Sequence, residues 1–171
     1  SSGALYELDW EGNIIWEYQN PMLHHDFFRL NNGNHLVLLW RKLPEATNER
    51  VQGGHHHEED PDVMWGDVVQ EITPDGRPVR EWRSWEHLKF NEDVICPLES
   101  RKEWTHMNSI DVTSEGDWLL SFRLTNTVGL VEPESGSFRW KWGPQELSHQ
   151  HHATMLDNGN VLIFDNGCHR Q

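Results

Sequence analysis

"QHHATMLDNGNVLIFDN", residues 150–166, reads as an alternating run, a polar turn centred on Gly159, then an apolar run of strand length. The pattern occurs twice more. "HHDFFRLNNGNHLVLLW" (24–40) and "MNSIDVTSEGDWLLSFR" (107–123) align with it without gaps on Gly33 and Gly116. Glycine at that place suits a hairpin turn that needs a positive φ. A second unit also appears three times, as "LYELDWEGNIIWEY" (5–18), "VVQEITPDGRPVREW" (68–82) and "VGLVEPESGSFRWKW" (128–142). It too is strand, Gly turn, strand, with Tyr18, Trp82 and Trp142 each six residues past the turn Gly. The two units alternate along the chain. Antiparallel hairpins in that order pair into four-stranded blades, so the sequence predicts an all-β fold, a β-propeller.

Counting hairpins gives half a blade, two full blades and half a blade, one partial propeller domain over residues 1–171. About three blades' worth of strands does not close a ring, because propellers usually have four to eight blades. The chain is therefore expected to be part of a longer one, or to be completed by a second copy in a homodimer. The opening "SSGALYELDW" has neither an initiator Met nor a leader-like run, and is read as set by processing or truncation. Two polar segments break the rhythm, about 42–64 and about 84–105, and are expected to be insertion loops. Connections of that length inside a repeat fold more often carry function than slack.

Composition narrows the function classes. A formal net charge of −14 argues against a nucleic-acid or anionic-membrane partner, which calls for clustered Lys and Arg. No run is apolar for long enough to form a membrane-spanning helix. Most of the ten tryptophans lie in strand-like runs and are read as sheet core. Cys96 and Cys168 lack the paired spacing of a zinc site and allow one disulfide or none.

The repeat register selects the candidate site. His25, Asn108 and His151 are equivalent, each eight residues before its turn Gly, and His106 lies two residues before Asn108. Equivalent positions opening the first strand of successive blades converge on the propeller's central channel. Arg123 ends the strand after "HMNSI" and supplies a fixed cation to the same pocket. A solvated polar rim is the plain alternative, and His149 and His152 are read as flanking residues. An imidazole metal set from His24, His25, His106 and His151 would suit zinc, copper or nickel, but Arg123 opposes a cation there. "HHHEED" (55–60) is read as a solvated charged loop with at most weak binding of divalent ions. No GxSxG elbow, phosphate-binding loop or dinucleotide fingerprint is present.

"HHDFFRLNNGN", "EWTHMNSIDV", "SFRLTNTVGLVE" and above all "SHQHHATMLDNGNVLIFDNG" resemble the bacterial arylsulfotransferase family, the type independent of the phosphoadenosine-phosphosulfate donor. The resemblance implies a six-bladed propeller with its active site in the central channel. By motif it implies a nucleophilic His151, with His106, Asn108, Arg123 and His25 around it. It further implies ping-pong transfer of a sulfuryl group from an aryl sulfate to a phenol through a sulfated histidine, no cofactor, and a periplasmic or exported location. Trp104 and Trp65 are the expected stacking surfaces for aryl groups. The alternative function is a non-catalytic propeller that binds a ligand or partner in its channel.

Overall fold

The computed structural model describes residues 3–56 and 63–170. Its strands in chain order are β1 (Gly3–Leu8), β2 (Ile14–Asn20), β3 (Leu23–Arg29), β4 (His35–Lys42), β5 (Gly53–His55), β6 (Trp65–Ile72), β7 (Pro78–Arg83), β8 (Ile95–Ser100), β9 (Met107–Val112), β10 (Trp118–Phe122), β11 (Thr127–Val131), β12 (Phe138–Trp142), β13 (His151–Met155) and β14 (Val161–Phe164). One short helix, α1 (Glu45–Asn48), precedes β5. Two four-stranded antiparallel sheets, β3-β4-β6-β7 and β9-β10-β11-β12, stand between two hairpins, β1-β2 and β13-β14. This is the predicted sequence of half-blade, blade, blade and half-blade, a partial propeller. No helix among the described residues is long and apolar enough to cross a membrane.

The repeated hairpin is built on one turn. In the 24–40 unit Leu30 N–H donates to Asn34 O and Gly33 N–H to Leu30 O, and the 107–123 and 150–166 units repeat both bonds at Thr113–Asp117 and Leu156–Asn160. That is a type I turn followed by a left-handed residue, and Gly33, Gly116 and Gly159 take it at φ of 88°, 90° and 81°. A side chain there would be strained.

Each blade packs its faces on its neighbours. In β4, Leu36 and Leu38 face Met107, Ile110, Leu120 and Phe122 of the second sheet, while Val37 and Leu39 face Leu5, Trp16 and Tyr18 of the first hairpin. With both faces covered, "LVLL" is apolar throughout rather than alternating. The last hairpin packs through Val161 and Ile163 on Leu119 and Val128, and leaves Leu162 and Phe164 exposed.

Side chains then stitch the first strands together. Asp26 Oδ2 accepts from Ile110 N–H (3.0 Å), Ser109 Oγ from Ala153 N–H (3.0 Å), and Asp111 Oδ2 from Met155 N–H (2.7 Å). Asp26 and Ser109 occupy the same repeat position, so one residue place joins β3 to β9 and β9 to β13. The histidine ends of these strands are where ladder pairing lapses: β3 shifts register between Leu23 and Phe27, and β13 between His151 and Thr154. Such bulges free side chains to point away from the sheet.

The two insertions are not plain loops. β5 lies in the first and β8 in the second, and the two strands pair parallel to each other. They close over a satellite core of Leu43, Val51, Met64, Leu88, Ile95, Trp104 and Leu124. Trp104 is fully buried, stacks on Phe90 and donates Nε1–H to Asp93 O (2.7 Å), which corrects its expected role as an aryl-stacking surface.

Candidate active site

The openings of β3, β9 and β13 lie side by side, and several of their histidines stand on strained backbone. His25, His106, His149 and His152 adopt φ of 48°, 51°, 57° and 51°, a region that costs a non-glycine residue about 1–2 kcal/mol. The His25 and His106 rings meet edge-on with centroids 4.5 Å apart. Arg123 is tied to them by its own N–H, which donates to His106 O (3.3 Å). His25 titrates low, at about 4, chiefly because it is desolvated and next because of His106. Glu103 opposes that shift, and His151 and Arg123 add to it. The structure thus brings His106, His151 and Arg123 within electrostatic reach of His25.

Asn108 is buried beneath them. Its Nδ2 donates to Gln150 O (2.8 Å), the carbonyl just before His151, and its Oδ1 has no hydrogen-bond partner. Gln150 is itself fully buried and donates Nε2–H to Ser121 Oγ, Phe122 O and Thr127 O at 2.9–3.1 Å. His151 therefore follows a residue locked to the second sheet. Its Nδ1 lies 3.2 Å from His149 O and 3.1 Å from Asn166 Oδ1. A carbonyl oxygen only accepts, so Nδ1 carries the proton and Nε2 of the neutral ring carries the lone pair.

Behind His25 runs a line of groups that the sequence reading passed over. His24 Nδ1 lies 3.0 Å from His25 Nδ1, and its Nε2 lies 3.4 Å from Asp67 Oδ1. Asp67 is wholly buried and accepts from Met107 N–H (3.0 Å) and from the Thr105 hydroxyl. Burial, the dominant cause, raises Asp67 to about 7 and lowers His24 to about 3. His24 Nε2 is buried and makes no well-aligned hydrogen bond, so its approach to Asp67 is an electrostatic contact. On the other side His106 Nδ1 contacts Glu103 Oε2, and Arg123 Nη2 lies 3.0 Å from Glu99 Oε1. Both glutamates come from the second insertion.

An aromatic wall completes the site. Trp40 stacks on His24 at 3.9 Å and meets His106 at 5.9 Å. With Met22, Trp65 and Glu103 it lines an open, mostly apolar hollow of about 260 Å³. Of the two residues read as flanking, His149 is fully buried and donates Nδ1–H to Cys168 O (3.0 Å), and His152 is exposed. Of the "HHHEED" run, residues 57–60 lie outside the described residues.

Asp67 had a readable signal, a lone charge inside the apolar run "MWGDVV". Glu99 and Glu103 had none, because their placement depends on how the insertions pair; Trp40 had one, since it stands seven residues past its turn Gly, as Arg123 does.

Comparison with known proteins adds three findings. The model of the arylsulfotransferase (ASST) family matches residues 1–149, which include His25, His106, Asn108 and Arg123 and stop just short of His151. A solved protein of unknown function from Bacteroides caccae superposes with a TM-score of 0.51 at 15% identity, over 92% of this chain and 44% of that one. This chain thus spans less than half of that protein, and at such identity the likeness concerns the fold. No curated protein matches.

Proposed function

The chain belongs to the arylsulfotransferase family, and on that premise we propose that it moves a sulfuryl group from an aryl sulfate to a phenol through a covalent intermediate on His151. The observation that carries this reading is the His151 tautomer: Nδ1 faces two oxygens, and Nε2 presents its lone pair. A neutral imidazole so held attacks sulfur, the S–O bond to the aryl oxygen breaks, and the phenolate leaves. A second phenol then takes the sulfuryl group from Nε2, which makes the cycle ping-pong.

The other groups suit the charge changes. Negative charge builds on the peripheral and leaving oxygens, where the Arg123 guanidinium can donate. A preorganised donor of that sort lowers the barrier by about 3–4 kcal/mol. His106, oriented by Glu103, is placed to protonate the departing phenolate. His25, kept neutral chiefly by burial, suits the role of taking the acceptor's proton. Asn108 acts through Gln150, fixing the backbone that presents His151. The hollow beside Trp40 and Trp65 is the aryl subsite, with Trp40 in the stacking role foreseen for Trp104. None of these steps calls for a diffusible cofactor.

The test is transfer from p-nitrophenyl sulfate to a phenol by the full-length protein. His151→Ala abolishes transfer, while Asn166→Ala, which removes one of the two Nδ1 acceptors, lowers kcat about tenfold with KM kept. Unchanged turnover in His151→Ala would overturn the reading and favour a propeller that only binds a ligand in its channel.

A further inference from the structure

A second cluster lies beside this site, and its side chains take no part in the chemistry above. Cys96, His149 and His169 each present one donor atom, and the three atoms lie within 4.8 Å of one another. Cys96 comes from β8, His149 from the turn before β13, and His169 from the tail after β14, so the fold gathers them from three separate segments.

Three features distinguish the cluster from chance proximity. Cys96 Sγ and His169 Nδ1 are 3.5 Å apart. Metal–sulfur and metal–nitrogen bonds of about 2.3 and 2.0–2.1 Å at a tetrahedral angle place those atoms about 3.5 Å apart. His149 donates Nδ1–H to the Cys168 carbonyl (3.0 Å), the outer hydrogen bond that orients a metal-bound imidazole. Its Nε2 is fully buried and makes no well-aligned hydrogen bond, although Glu99 Oε1 lies 3.0 Å from it. Finally, His149 and His169 are both held at positive φ, 57° and 65°, with their rings 4.6 Å apart.

We propose that Cys96, His149 and His169 bind one thiophilic divalent metal ion of the zinc class, leaving a fourth position for water or a ligand. Binding replaces the Cys96 S–H proton, which passes to solvent, with a metal–thiolate bond. Glu99 Oε1 lies 3.0 Å from His149 Nε2 and 3.0 Å from Arg123 Nη2. Its carboxylate and the thiolate offset the ion's charge beside Arg123, so the cation that opposes a metal among the catalytic histidines does not oppose one here. The ion would brace β8, β13 and the tail, and with them the backbone two residues from His151.

The experiment is titration of the purified full-length protein with Co(II), read by its absorption spectrum. One equivalent is expected to give tetrahedral d–d bands and a thiolate-to-cobalt charge-transfer band. Cys96→Ser should lose that band, and His169→Ala should bind more weakly by more than the roughly 10–100-fold seen for loss of an outer partner. Cys168→Ser and a triple variant, His55→Ala, His56→Ala and His57→Ala, should keep the band. In the unmodified protein, one equivalent of Zn(II) should slow alkylation of Cys96 but not of Cys168, a readout independent of whether the variants fold. A charge-transfer band that survives Cys96→Ser or disappears in the triple variant overturns the proposal. So does Cys96 alkylation at the same rate with and without metal.

Discussion

Replacing Asp67 by Asn probes the buried line that supports His25. The carboxyl is fully buried, and burial raises it to about 7. In the unfolded chain an Asp titrates near 3.9, so the folded state prefers the protonated form. That preference stabilises the fold fully below about pH 3.9 and is lost as the pH rises through about 7. Asn keeps the shape and does not titrate. Between about pH 7.5 and pH 5 the unsubstituted protein should therefore gain about 2–3 kcal/mol relative to Asp67→Asn. His24 titrates in both proteins, so its own acid penalty largely cancels in the difference. Urea unfolding at a series of pH values measures the gap. A gap constant to within about 0.5 kcal/mol, or one that widens towards alkaline pH, would refute the reasoning.

Four further substitutions separate structure from chemistry. Trp104→Phe removes the Nε1–H bond to Asp93 O and should cost about 1–3 kcal/mol of stability with KM for the aryl sulfate unchanged, whereas Trp40→Ala should raise that KM about tenfold; steady-state kinetics and unfolding curves on both variants check this. Gln150→Leu removes two Nε2 hydrogens shared among three buried acceptors, so unfolding should show a loss of about 2–3 kcal/mol, and transfer should fall because His151 is the next residue. Gly53→Ala places a Cβ 2.1 Å from Ile95 O at a φ of +79°, and limited proteolysis should show the β5–β8 pair opened and the second insertion cut faster.

Much of the architecture was legible because the turn chemistry repeats. Gly33, Gly116 and Gly159 mark the same turn three times, and aligning on them yields both the hairpin count and the equivalence of His25, Asn108 and His151. The insertions were legible only as interruptions. Their composition is polar, and the parallel pairing of β5 with β8 depends on contacts between Gly53 and Ile95 that no local pattern encodes. Trp104 was misread for the same reason: it follows a polar run, and only the satellite core under the insertions shows why it is buried. His149 looked like a flanking residue because strand periodicity says nothing about a residue held at positive φ before the strand begins.

The central claim is that His151 carries the sulfuryl group. The most direct measurement is to quench the full-length protein during turnover with an aryl sulfate and no acceptor, then locate any covalent addition by peptide mass under conditions that preserve a sulfur-to-nitrogen bond. The account predicts one SO3 group on His151, discharged when a phenol is added and absent from His151→Ala. An unmodified His151 during active transfer, or the group on His25 or His106 instead, would contradict it.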